Sequence, residues 1–123
     1  PLGLRLNCIT VCNMENFDPL VIPAETAINM LTEGGAKCLG YKDVGKLETG
    51  YKADITLVDR EGLHWYPKND TLSLMAYSAN SMDVDTVLVN GEVLLRHKEF
   101  TKLDIEKIKA EAERTRKKLF AQI

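Results

Sequence analysis

Gly45-Lys46-Leu47-Glu48-Thr49-Gly50-Tyr51-Lys52-Ala53-Asp54-Ile55-Thr56-Leu57-Val58-Asp59 is the stretch on which the reading of the fold turns. Gly45 and Gly50 bracket Lys46–Thr49, which marks a turn or a short strand. Ile55, Leu57 and Val58 then favour extended backbone, so Ala53–Asp59 is expected to be a strand that Asp59 closes. Further on, Val84–Val89 and Glu92–Arg96 are both strand-like, and Asn90-Gly91 joins them. A type I′ turn needs positive φ at both central residues, which Asn and Gly tolerate best, so this is a hairpin.

Helical signals lie on either side. Leu4–Met14 has mixed periodicity and supports a short helix, followed by a loop at Asn16-Phe17-Asp18-Pro19. Pro23 suits the first residue of a helix running to Leu31, with Ala27, Met30 and Leu31 as its apolar stripe. Gly34-Gly35 is expected to end or interrupt it, with one more turn at Ala36–Leu39. Arg60–Asp70 reads as irregular. Thr71–Ser78 reads as a short helix with Leu72, Met75 and Ala76 inward. Leu103–Phe120 is an amphipathic helix with Ile105, Ile108, Ala112 and Leu119 on one stripe, capped by Thr101 or Asp104. Its acidic residues lead and its basic residues trail, which suits the helix dipole.

The chain is helix-rich to Gly40, strand-rich to Phe100, and closes on one helix. Two or three short strands seldom make an independent sheet. That imbalance implies that the sheet belongs to something larger. The 123 residues carry 16 basic and 18 acidic side chains, a formal net charge of -2. This balance argues against a nucleic-acid partner, which would want a basic face. No apolar run approaches the roughly 20 residues needed to span a bilayer, and no signal peptide is recognisable. The chain starts at Pro1 without an initiator Met, which implies missing sequence upstream.

Candidate chemical groups are sparse. Cys8, Cys12 and Cys38 form no disulfide framework and read as reduced intracellular thiols, so a cytoplasmic location is expected. Cys8 and Cys12 would share a helix face as half a metal site, but nothing nearby completes four ligands, and packing is the favoured role. His64 and His97 stand far apart, and neither His-x-His, His-Glu-x-x-His nor Cys-x-x-Cys occurs. His64, beside Trp65 and Tyr66, could line a substrate site, but a partly buried loop is favoured. His97, between Arg96 and Lys98, is expected to be solvated. Asp54 and Asp59 would lie on opposite faces of a regular strand, and Asp54 is expected to hold backbone donors at a turn. Glu33-Gly34-Gly35-Ala36-Lys37 lacks the spacing of a phosphate loop and reads as a helix terminus.

Three segments in order resemble the amidohydrolase superfamily. Gly45–Asp59 is similar to its Gly-x-Leu-x-x-Gly-x-x-Ala-Asp motif followed by a strand. Ala36-Lys37-Cys38-Leu39-Gly40 looks like its Ala-Lys/Arg-x-Leu-Gly, and Val84–Gly91 looks like its final hairpin. The resemblance covers roughly Pro23–Phe120. Leu72–Asn80 is similar to the cytosine-deaminase-like subgroup, which includes guanine deaminases, methylthioadenosine/S-adenosylhomocysteine deaminases and triazine chlorohydrolases.

The resemblance implies a mixed α/β fragment: the last helices of a (β/α)₈ metal-dependent hydrolase barrel, the C-terminal half of a composite β-sandwich, and a C-terminal helix. Residues 1–40 would be the barrel helices, 41–100 the sandwich share and 101–123 the helix. The parent would hydrolyse C–N or C–Cl bonds of a nitrogen heterocycle with water activated by a divalent metal, zinc or iron. The family's metal and catalytic positions fall outside this chain. No catalytic, cofactor-binding or metal-ligating residue is therefore carried over, and the fragment alone is expected to be inactive. Its first partner would be the missing N-terminal part of its own chain, with homo-oligomerisation left open. The rival reading is a free-standing, non-catalytic sandwich module that binds a protein partner.

Overall fold

The computed structural model describes residues 12–18 and 20–121. Cys8 and most of the Leu4–Met14 segment lie outside the described residues, and residues 12–16 are helical. Helix α1 (Ala24–Leu31) and helix α2 (Glu33–Cys38) follow. Pro23 sits one step earlier than expected, as the extended residue before α1. The break between α1 and α2 falls at Thr32, whose φ of -109 and ψ of -101 are not helical. Gly34 and Gly35, the expected interruption, lie inside α2. The glycine that the break requires is Gly45. It has φ +89, and a Cβ there would come within 2.9 Å of the Thr32 carbonyl oxygen. Gly40, with φ +78, ends α2. Its N–H donates to the Lys37 carbonyl, and the next N–H, from Tyr41, donates to that of Ala36. This pair of bonds is a Schellman closure.

Strand β1 (Ile55–Val58) is followed by a 3₁₀ turn at Leu63–Trp65 and by helix α3 (Thr71–Tyr77). Asp70 caps α3 by accepting the Ser73 N–H at 2.7 Å. A second 3₁₀ turn at Ser81–Asp83 leads into β2 (Val84–Val89), then β3 (Glu92–Arg96) and β4 (Glu99–Phe100). The four strands form one antiparallel sheet in the order β1-β2-β3-β4, with Ile55 opposite Leu88 and Val89 opposite Glu92. Asn90 and Gly91 take φ of 51 and 80, the type I′ turn that their sequence predicts. Strand β4 was not expected. It follows His97-Lys98, a second two-residue turn in which both residues have positive φ (49 and 68). His tolerates that region better than most residues but Lys does not favour it, so the turn signal there is weak beside that of Asn90-Gly91.

The core is small. The buried apolar residues among those described are Ala27, Ala36, Trp65 and Ala76, and Trp65 is the single large side chain fully buried. Ala27 and Ala76 meet where α1 packs along α3, with Ile22 and Ala24 around them. Small side chains let the two helices approach closely. Met30, Leu31 and Leu72, expected to face inward, are exposed. Helix α4 (Ile105–Phe120) is capped by Asp104, which accepts the Lys107 N–H at 2.9 Å, and none of its residues is buried. No helix among the described residues is long and apolar enough to cross a membrane.

The sheet's main lock is Asp54. Its Oδ1 accepts the Asn90 N–H at 2.6 Å, and the Gly91 N–H donates to the Ala53 carbonyl at 3.0 Å. These bonds tie β1 to the turn between β2 and β3. Replacing Asp54 with Ala should speed amide hydrogen exchange at Asn90 by about tenfold, the loss of one charge-assisted bond. An unchanged exchange rate would show that the turn holds without it.

Candidate functional site

The densest polar cluster joins the two 3₁₀ turns. Asp83 starts as the last residue of the Ser81–Asp83 turn and is buried. Its Oδ2 accepts the Asn80 N–H at 2.8 Å and lies 2.9 Å from His64 Nε2. A carboxylate only accepts, so the proton sits on Nε2. Asn80 Oδ1 accepts the Met82 N–H at 2.8 Å, and its amide nitrogen lies 3.2 Å from the same Nε2, where two donors meet without a bond between them. Asn80 and Asp83 thus form a reciprocal capping box. Gly62 makes room for the ring: a Cβ there would lie 2.6 Å from His64 Cε1. Beside the cluster, the Arg60 guanidinium stacks over the buried Trp65 ring at 5.6 Å.

Burial pushes the Asp83 carboxyl up, but the Asn80 N–H and then His64 outweigh it and hold the group below the usual carboxylate range. The cluster can keep one buried charge satisfied and clamp the Arg60–Tyr66 loop to the start of β2. It offers no nucleophile and no second acid–base group. The histidine expected to sit in a partly buried loop is thus the exposed end of a buried carboxylate network. The sequence signal for that network was the Asn80-x-x-Asp83 spacing, a capping pattern.

The other candidates stay apart. Asp54 holds the hairpin turn, as expected, while Asp59 Oδ1 at the far end of β1 accepts the Glu61 N–H at 3.0 Å. His97 is exposed, as expected, with Nδ1 3.4 Å from Asp85 Oδ2. Cys12 is half-buried and Cys38 is exposed at the end of α2. Glu33 and Lys37 pair with each other at 2.6 Å along α2, where no phosphate loop forms. No three His, Cys, Asp or Glu side chains converge to hold a metal among the described residues. The described residues therefore do not fit a metal centre.

A groove of about 580 Å³ runs between α1–α2 and β1, lined by Leu31, Leu39, Tyr41, Val44, Val58 and Met75 among others. Its one carboxylate, Asp54, is committed to the turn. An apolar trough without convergent polar groups is a surface to be covered rather than a reaction site.

Comparison with known proteins gives a consistent picture. The Amidohydrolase family pattern matches residues 3–94. A 5-methylthioadenosine/S-adenosylhomocysteine deaminase of Carboxydothermus hydrogenoformans is 44% identical over 108 residues, which cover 88% of this chain and 25% of that protein. Its counterpart in Dictyoglomus turgidum is 47% identical over 97 residues, 79% of this chain and 23% of that one. Among solved structures, an adenosine deaminase from Xanthomonas campestris with bound zinc superposes with a TM-score of 0.93 at 26% identity. The match covers 98% of this chain and 28% of that one. An atrazine chlorohydrolase from Arthrobacter aurescens TC1, complexed with zinc, gives 0.68 at 32% identity over 73% of this chain and 20% of its own. The chain thus spans about a quarter of the length of the curated relatives it matches.

The lowered Asp83 group fixes a sign for acid stability. Its contribution is present above the unfolded value near 3.8 and is lost as pH falls through the lower folded value. The fluorescence of Trp65, the chain's one tryptophan, reports on this cluster directly. Its emission should shift red only below about pH 4. Asp83→Asn, which still accepts N–H bonds but carries no charge, should lose that acid step. The same step in both proteins would contradict the role given to Asp83.

Proposed function

This chain belongs to the amidohydrolase family, and on that premise we propose that it is the C-terminal part of a longer hydrolytic deaminase. The observation that carries the reading is the 44–47% identity to deaminases of 5-methylthioadenosine and S-adenosylhomocysteine over a quarter of their length. The chlorohydrolase is more distant, at 32%. The substrate class is therefore an adenosine-type nucleoside with a thioether on its sugar. Water adds at the ring carbon that bears the exocyclic amine, and ammonia leaves.

Residues 1–40 are read as the last helices of the catalytic barrel, 41–100 as this chain's share of a β-sandwich completed by the N-terminal part, and 101–123 as a closing helix. Three features support the division. The groove beside β1 is open and apolar, β1 is an edge of the sheet among the described residues, and large apolar side chains such as Leu39, Leu47 and Leu57 are exposed. Leu57 stands on that edge strand, where an unpaired apolar strand is a liability unless another chain segment covers it. A divalent metal, with zinc favoured by the zinc-bound relatives, belongs to the part outside this chain. The described residues hold no site for it.

The test is ammonia release from 5′-methylthioadenosine, S-adenosylhomocysteine and adenosine, with zinc or iron supplied. The purified 123-residue chain should release none, and the long protein should release it from at least one of the three. Release by the short chain would overturn the assignment of the active site to the missing part. A long protein inactive on all three would overturn the substrate class.

A further inference from the structure

Asn90-Gly91 is the single Asn-Gly pair in the chain. Besides setting the turn between β2 and β3, such a pair has a chemistry of its own. The backbone nitrogen of the second residue can attack the side-chain amide carbon of the first. The ring that closes has five members, and glycine puts no Cβ in its way. Three observations leave that path open here. Asn90 and Gly91 are both exposed. Among the described residues the Asn90 side-chain amide has no hydrogen-bond partner, so it is free to rotate toward the chain. A Cβ built at Gly91 would meet nothing within 4 Å, so the space beside the attacking nitrogen is clear. Other asparagines differ in this respect. Asn80, which precedes Ser81, has Oδ1 tied to the Met82 N–H at 2.8 Å, and the Asn16 amide donates to the Cys12 carbonyl at 2.8 Å.

Two bonds oppose the attack. The Asn90 N–H donates to Asp54 Oδ1 at 2.6 Å, and the Gly91 N–H donates to the Ala53 carbonyl at 3.0 Å. The Gly91 nitrogen is the attacking atom, and it attacks only after losing that proton. While the proton is shared with Ala53, and φ of the two residues is held at 51 and 80, the nitrogen can neither ionise nor turn toward the side chain. We propose that Asn90 is a site of spontaneous deamidation whose rate is set by the clasp of Ala53 and Asp54 on the turn. When the clasp opens, the Gly91 nitrogen gives its proton to solvent and bonds to Asn90 Cγ. The Cγ–Nδ2 bond breaks, and Nδ2 takes a proton from solvent and leaves as ammonia. Water, the sole other reactant, then opens the imide. Opening at Cγ leaves an aspartate. Opening at the main-chain carbonyl leaves an isoaspartyl link, in which the backbone runs through the side chain. Each product weakens the lock. The imide has no N–H for the Ala53 carbonyl, the isoaspartyl link adds a carbon to a two-residue turn, and the aspartate adds a second negative charge to a turn that Asp54 already holds. The inference depends on the turn and not on the reading of the chain as part of a deaminase.

The test is peptide mass spectrometry on the protein at its full natural length, incubated folded at mildly alkaline pH and then digested, with the converted asparagines located by fragmentation. In urea-unfolded protein Asn90 should convert fastest of the asparagines, and folding should slow it. Asp54→Ala should raise the folded-state rate about tenfold, in step with the faster exchange of the Asn90 amide. Asp54→Asn, which still accepts the N–H through its amide oxygen, should restore most of the slow rate. If Asp54→Ala does not fold, the unmutated protein answers the same question: below global unfolding, added urea should raise Asn90 conversion in proportion to hydrogen exchange at Gly91. A folded Asp54→Ala protein that converts at the unmutated rate would overturn the role of the clasp. So would conversion that stays flat while Gly91 exchange rises. An unfolded chain that converts Asn80 and keeps Asn90 intact would overturn the site itself.

Discussion

The carboxylate of Asp54 holds the Asn90 N–H at 2.6 Å, and the arrangement of the sheet depends on that bond. It joins the residue before β1 to the turn between β2 and β3, across 25 intervening residues of loop and helix that run from Asp59 to Asp83. The Gly91 N–H and Ala53 carbonyl close the same junction from the other side. With it in place, β1 lies antiparallel along β2, with one register shift between Leu57 and Val58, and α3 can return to pack its Ala76 on Ala27 of α1. The second junction, His64 and Asn80 on buried Asp83, fixes the loop that β1 leads into. Both junctions use a short acidic side chain to satisfy backbone donors where the chain changes direction, which is where such groups are otherwise left without partners.

Much of this was legible in the sequence because the signals are local. Asn90-Gly91 names its turn by the φ values it tolerates, and Asp54 was expected at a turn because its spacing from Asp59 makes a poor metal pair. Asp104 declares the start of α4, and Thr71–Tyr77 lies one residue inside its expected span. What stayed hidden depends on contacts between distant segments. The His97-Lys98 turn lacks the glycine or asparagine that marks such a turn, and the Lys98 N–H donates to the Asp85 carbonyl at 2.9 Å. Gly45, rather than Gly34-Gly35, answers to the break at Thr32, because the demand comes from a carbonyl thirteen residues earlier in the chain. The His64–Asp83 bond spans nineteen residues, and only its capping half leaves a trace in the sequence.

The inward faces expected for Met30, Leu31 and Leu72 failed for a different reason. Periodicity reports which face of a helix is apolar, and it does not report whether the covering partner lies in the same chain. Those side chains are exposed here, and Leu31 lines the open groove beside β1. The same holds for α4, whose stripe was read correctly as a stripe and none of whose residues is buried. A chain of this length ordinarily buries well over half of the surface it exposes when unfolded. Among the described residues, four buried apolar residues, three of them alanines, are far less core than that requires.

We propose that these 123 residues, locked internally by Asp54 and Asp83, are part of a longer amidohydrolase-family protein whose remainder covers their exposed apolar faces. Size-exclusion chromatography with light scattering, combined with binding of a dye that reports exposed apolar surface, tests it most directly on the isolated chain. The account predicts species heavier than 13.8 kDa and strong dye binding. A monodisperse 13.8 kDa monomer that binds no dye and melts in one cooperative step would contradict it, and would show a module complete in itself.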